Sequence, residues 1–392
     1  MMKTISKLLV IPVVLLVAIS WRTKGDENET PEKDEVFKEG INMKEYALSG
    51  ANILTFGPDN VLFVGDSKSA VVYAFETEAT ELKDPTPYNF FGVDKKIAEE
   101  LGANPSDILI QDMKVHPLSQ EAYISFKRGH SPDDKSFIAI VSPKDLGVSF
   151  LNIKKAKQSK TKVSAPATEV PNLWRDIPAS TLNITDMDFH QGNLYVAGLT
   201  NGEFASTMRI IPFPFNKKQS KVGSIEMYHA VHTQMETRAP IRTMLFEELD
   251  GVETLVAAYT CTPLVTMPAS ALKDGNHIQA KTIAELGYGN APIDMITFVA
   301  QEWDGSYDKK LLITNKFRSA HVISVKDLVK ANQGEGLSGF TQGPEGVEMF
   351  PVPLSGVMHI DEQNQTMLVT LRRNIDTGTV DLLSKLKGSY FR

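Results

Sequence analysis

The sequence predicts an all-β chain folded as a single β-propeller. Three observations carry that expectation: a two-strand pattern occurs six times, the copies start 51 to 74 residues apart, and five methionines share one repeat position. The copies are "NILTFGPDNVLFVG" from Asn52, "DMKVHPLSQEAYIS" from Asp112, "DMDFHQGNLYVAG" from Asp186, "TMLFEELDGVETLVAA" from Thr243, "DMITFVAQEWDGSYDKKLLIT" from Asp294 and "VMHIDEQNQTMLVT" from Val357. Each is an apolar run, a turn rich in Gly, Asp, Asn or Pro, and a second apolar run, which is the signature of a hairpin.

Ile53, Met113, Met187, Met244, Met295 and Met358 fill the second column. Flexible thioethers at one recurrent place suit packing between neighbouring sheets. The hairpins use only part of each step, and runs such as "VVYAF", "FIAIV", "TMRII" and "HVISV" supply outer strands. Four antiparallel strands per blade and six blades follow. Seven is the alternative if the longest step, with "KKAKQSKTKVSAPATEVPNLWRD", hides a degenerate blade, although its polar composition suits a surface loop. The last copy has three clear strands before Arg392, so residues 41–49, "INMKEYALS", are expected to close the ring as the outermost strand of the last blade. Val93, Ile97 and Leu101 recur at helical spacing and predict a short inserted helix.

Ahead of the propeller domain, 41–392, residues 1–20 read as a signal peptide: Lys3 and Lys7, an apolar stretch from Leu8 to Ile19, and the small residues Ala18 and Ser20. That stretch is short for a stable membrane span. The charged segment "GDENETPEKDE" makes 21–40 a disordered acidic spacer. A periplasmic or secreted location is therefore expected. The formal net charge of −7 disfavours nucleic acid as a partner. Cys261 is the single cysteine, which precludes an internal disulfide, and it is expected as a small buried residue inside a strand.

The sequence contains no phosphate-binding glycine loop, nucleophile elbow, His-Glu-x-x-His or Cys-x-x-Cys. Chemistry must then come from the repeat itself. Residues opening the inner strands of a propeller converge at one mouth of its channel, and here they include Asn52, Asp112, Asp186 and Asp294. Such oxygens could hold Ca²⁺ or another divalent cation, or each Asp could accept backbone N–H groups at its strand entry. The connection "YHAVHTQMETRAPIRTM" adds His229, His232 and Glu236 as candidate Zn²⁺ or Cu²⁺ ligands. The two histidines are also candidate general bases beside an axial substrate, and Arg238 and Arg242 candidate binders of an anionic one.

The hairpin pattern resembles the six-bladed propellers of the gluconolactonase and strictosidine-synthase type, whose axial metal is held by Asn, Asp and Glu. The resemblance implies Asn52, Asp112, Asp186 and Asp294 as ligands and a sugar-like lactone or ester as substrate. The Gly that follows the ligand in that family is Met in all three Asp copies, and its N-terminal Glu ligand has no counterpart. The expected function is binding of a small-molecule ligand at the axial face; its enzymatic form is a metal-dependent, lactonase-like hydrolysis. The alternative is a non-catalytic binding or assembly module with an exported protein partner.

Overall fold

The computed structural model describes residues 36–37, 41–79, 81–82, 86–169 and 177–390. The expected signal peptide lies outside the described residues, as do 21–35 and 38–40 of the expected spacer; Val36–Phe37 pairs with Ile41–Asn42. From Val36 onward the chain is one β-propeller. Each of the six sequence repeats becomes the hairpin nearest the axis, its first strand innermost.

We name the sheets A to F by the chain order of those inner strands: Ala51–Phe56, Ile108–Val115, Asp186–His190, Ile241–Leu249, Pro292–Gln301 and Val357–Glu362. Five sheets have four strands, but sheet D has seven. It gains Ser224–His229, which runs parallel to His277–Leu286, together with Gln234–Glu236 and Pro344–Gly346. The expectation of six equal four-stranded blades therefore gives way to five of that form and one larger mixed sheet. No further blade lies in the described part of the longest step, where Gln158–Lys162 becomes the outer strand of sheet A.

Two connections depart from chain order, and the first corrects the expected closure. Beyond sheet A the chain adds Asn89–Phe90 to the outer edge of sheet F, forms helix α1 (Val93–Leu101), and only then builds sheet B. It next returns to sheet A before entering sheet C. The ring consequently reads A-B-F-E-D-C, with A and B exchanged relative to a sequential propeller. Sheet F is closed by Asn89–Phe90 and not by residues 41–49. Leu48 in that stretch instead exchanges backbone hydrogen bonds with Ser136 of sheet B, at 2.9 and 3.0 Å.

Six apolar seams follow the same order. Tyr88, Ile97 and Leu101 fill the B–F seam with Met113, while Met187 packs in A–C, Met244 in C–D and Met295 in D–E. The methionine column thus marks sheet-to-sheet packing, where an unbranched side chain fills the wedge between twisted sheets. Arg209, fully buried, fastens sheet C to its entry loop by donating to the carbonyls of Ser164, Ala165, Asn183 and Leu199. A Cβ at Gly198 would stand 2.2 Å from the Asn183 carbonyl oxygen, so only glycine permits this approach.

Candidate functional site: the axial channel

In sheets A, B, D, E and F the inner strand carries a one-residue register shift, at Asn52, Gln111, Arg242, Ile293 and Met358. Bulges of this kind re-aim side chains, and all five of these residues line the cavity at the mouth of the channel. In sheet C the strand begins directly at Asp186. The first residues past the bulges, with Asp186, form the tier Ile53, Asp112, Asp186, Thr243, Asp294 and His359. Asn52 is thus a bulge residue, and the true counterpart of Asp112 in sheet F is His359, two places beyond Val357.

The carboxylates of this tier act as latches between sheets. Asp112 accepts the N–H of Met113 and, across the seam, that of Leu54, both at 2.7 Å. Asp186 does the same with Met187 (2.9 Å) and Met244 (2.6 Å), and Asp294 with Met295 (2.9 Å) and Ile360 (3.1 Å). Two residues further along, Asp188 accepts from Phe246 at 3.2 Å and Asp361 from Val115 at 2.7 Å. Inner strands of neighbouring sheets diverge too far to form a ladder, and a carboxylate spans the gap. Hydrogen bonds to a charged acceptor are worth about 1.5–3 kcal/mol each. Asn52 serves the A–C seam by donating to Ile184 O (3.2 Å) and accepting from Ser67 N (3.0 Å).

Lys114 and His359 supply the balancing charge, and neither was singled out from sequence. Lys114 Nζ lies 3.6 Å from Asp294 Oδ1, and His359 Nδ1 lies 3.3 Å from Asp112 and 3.6 Å from Asp294. Burial works against charge on His359, but Asp112 and Asp294 outweigh it and raise its pKa to about 9. Burial likewise opposes the Lys114 ammonium, which Asp294, Asp361, Asp112 and Asp186 hold in its charged form. Burial pushes Asp361 up to about 6 and Asp186 well above the ordinary carboxylate range, Lys114 opposing the rise in each case.

The mouth is a cavity of about 1190 Å³, lined by Arg242, Lys127, Lys316 and Arg373 above the acidic tier and by the exposed Phe317 and Ile375 at its edge. A second cavity of about 700 Å³ opens at the other face, and Lys114, Asp186 and Asp294 border both. Arg242 projects from its bulge into the mouth, solvent-exposed and with no hydrogen-bond partner among the described residues. Arg238 is elsewhere: its Nε donates to Glu203 O at 3.3 Å.

His229, His232 and Glu236 also lie away from the channel, because the hairpin that bears them forms the outer edge of sheet D. Both imidazole Nδ1 atoms approach Glu236 Oε1, at 3.1 Å from His229 and 2.6 Å from His232. His229 draws the Glu236 pKa down to about 2, with burial opposing and His232 assisting. Beside them, Cys261 occupies the turn between two strands with φ of 79°, not a strand interior, and burial pushes its thiol up.

Among the described residues no helix is long and apolar enough to cross a membrane. No family model and no curated protein matches the sequence. Solved structures similar to it include a putative 6-phosphogluconolactonase from Bacteroides uniformis, 10% identical over 86% of this chain and 82% of that one, with a TM-score of 0.29. Drosophila Plexin A in complex with Semaphorin 1b is another, 8% identical over 88% and 86%, with a TM-score of 0.35. Likenesses this distant say nothing of activity, and the site must be read from its own residues.

Proposed function

We propose that the channel mouth binds a small organic anion, and that the acidic tier beneath it is structural. Arg242 carries the reading: an exposed guanidinium in a cavity, with no hydrogen-bond partner among the described residues, matches a carboxylate or phosphate, which it can grip through two parallel N–H donors. Phe317 and Ile375 offer apolar surface for the remainder of such a ligand. In this reading the tier takes no calcium. Ca²⁺ needs six to eight oxygens, whereas both oxygens of Asp112, Asp186 and Asp294 accept backbone N–H groups and the Lys114 ammonium stands among them. The protein is then an exported binding module.

A second reading, metal-assisted hydrolysis of a lactone or ester, draws on one observation: ligand atoms of Asp112, Asp294 and His359 lie within 4.8 Å of one another. Calorimetric titration with D-gluconate and with inorganic phosphate, against glucose as a neutral control, tests the binding reading. Saturable binding of an anion that Arg242→Met abolishes supports it; equal responses to anion and glucose, or none, overturn it. Stoichiometric calcium in the purified protein, lost in Asp112→Asn, favours the hydrolase.

A further inference from the structure

We propose that His229, His232 and Glu236 form a binding site for a divalent transition metal, zinc fitting best, on the outer edge of sheet D and independent of the channel. Hydrogen-bond accounting leads there. Glu285, wholly buried, accepts the N–H of Ala230 at 2.8 Å through Oε1 and the hydroxyl of Thr262 through Oε2. Thr262 has one hydroxyl proton, and that contact uses it. Its oxygen, 3.1 Å from His229 Nε2, must therefore accept, so His229 carries its proton on Nε2. A ring with that single proton would point a bare Nδ1 lone pair at Glu236 Oε1, 3.1 Å away, so the contact calls for a positive centre, which either a second ring proton or a metal ion supplies.

The surroundings suit a metal as that centre. His232 Nδ1 converges on the same oxygen at 2.6 Å, which gives a third donor atom from a second imidazole. Tetrahedral zinc with bonds of about 2.0–2.1 Å sets its ligands roughly 3.3 Å apart. The two imidazole nitrogens would move outward from Glu236 Oε1 by about 0.2 and 0.7 Å to reach that spacing. The chain from Glu285 through Thr262 to His229 is the outer support that fixes the tautomer and orientation of a ligating histidine. His229 and Glu236 are buried while His232 is 45% exposed, so the ion has a route from solvent and its fourth position is open to water.

The test is calorimetric titration of the full chain, first stripped with EDTA, using zinc chloride, with cobalt chloride as a spectroscopic probe. The expected result is one zinc per chain, with cobalt giving visible absorption bands of a nitrogen and oxygen site. His232→Ala, at an exposed position, and Glu236→Gln are expected to weaken zinc binding at least a hundredfold while retaining the far-ultraviolet circular dichroism of the parent. Thr262→Val is expected to weaken it about 10- to 100-fold, as loss of an outer-shell partner does. Absence of saturable binding to natively folded protein, or binding that survives His232→Ala, overturns the proposal and leaves the cluster a histidine–carboxylate ion pair.

Discussion

The channel tier and the edge of sheet D use the same side chains, carboxylates and histidines, to opposite ends. In the tier, Asp112, Asp186 and Asp294 each spend both oxygens on backbone N–H groups, and Lys114 and His359 balance their charge. At the edge, two imidazole nitrogens converge on Glu236 Oε1, whose one amide donor, Gln234 Nε2, is a long 3.4 Å away, and Thr262 holds a His229 proton on the far side of the ring. What separates a structural acidic cluster from a ligand site is thus whether its lone pairs already have donors. The density of acidic residues does not decide it.

The largest effect that can break this contrast is on stability. Asp294→Ala removes two backbone acceptor bonds and leaves Lys114 and His359 partly uncompensated, and equilibrium denaturation should show a loss of about 3–5 kcal/mol. Glu236→Ala, which removes a buried carboxylate but leaves the half-exposed His232 to water, should cost less, about 1–2 kcal/mol. Similar losses at both places would erase the distinction.

The pH dependence comes next. His359 has a folded pKa of about 9, above the unfolded value near 6.5, so its stabilising contribution is complete below about pH 6.5 and fades as pH rises through about 9. Denaturation at successive pH values should lose on the order of 2–3 kcal/mol across that window. His359→Asn should flatten the profile, and an unchanged slope would remove His359 from the tier's charge balance.

Cations sharpen the contrast further. Zinc at ten times its dissociation constant should stabilise the fold by about 1.4 kcal/mol through the edge cluster, while calcium should leave the melting temperature unchanged. Smallest of all, Arg242→Met should alter stability by no more than about 0.5 kcal/mol. The same variant should lose the rise in melting temperature that a bound anion gives the parent; a retained rise would relocate the ligand.

The hairpin repeat was readable because period-two alternation and turn residues are local properties, and the helix over Val93–Leu101 for the same reason. The exchange of sheets A and B was not, since nothing local in Asn89–Phe90 or Gln158–Lys162 says which edge each strand will join. Asp112, Asp186 and Asp294 were found at the axis because they share one column. His359 escaped because the bulge in sheet F falls at Met358 itself, so the tier residue follows the methionine instead of preceding it, a shift of two residues against a methionine-based alignment, and bulges leave no composition signal. Lys114 was passed over although it stands two residues beyond Asp112 on the same strand face, where strand periodicity would have placed it beside the column. The histidine pair was visible by type but misplaced, because the parallel pairing of Ser224–His229 carries it to the rim.

A double-mutant cycle on Lys114 and Asp294 tests the central claim most directly, by equilibrium unfolding of Lys114→Met, Asp294→Asn and the double variant. If the lysine is the tier's resident cation, the double variant will be more stable than the summed losses predict, by about 2 kcal/mol or more. Losses that add to within about 0.5 kcal/mol would contradict the account and return the carboxylates to the pool of candidate metal ligands.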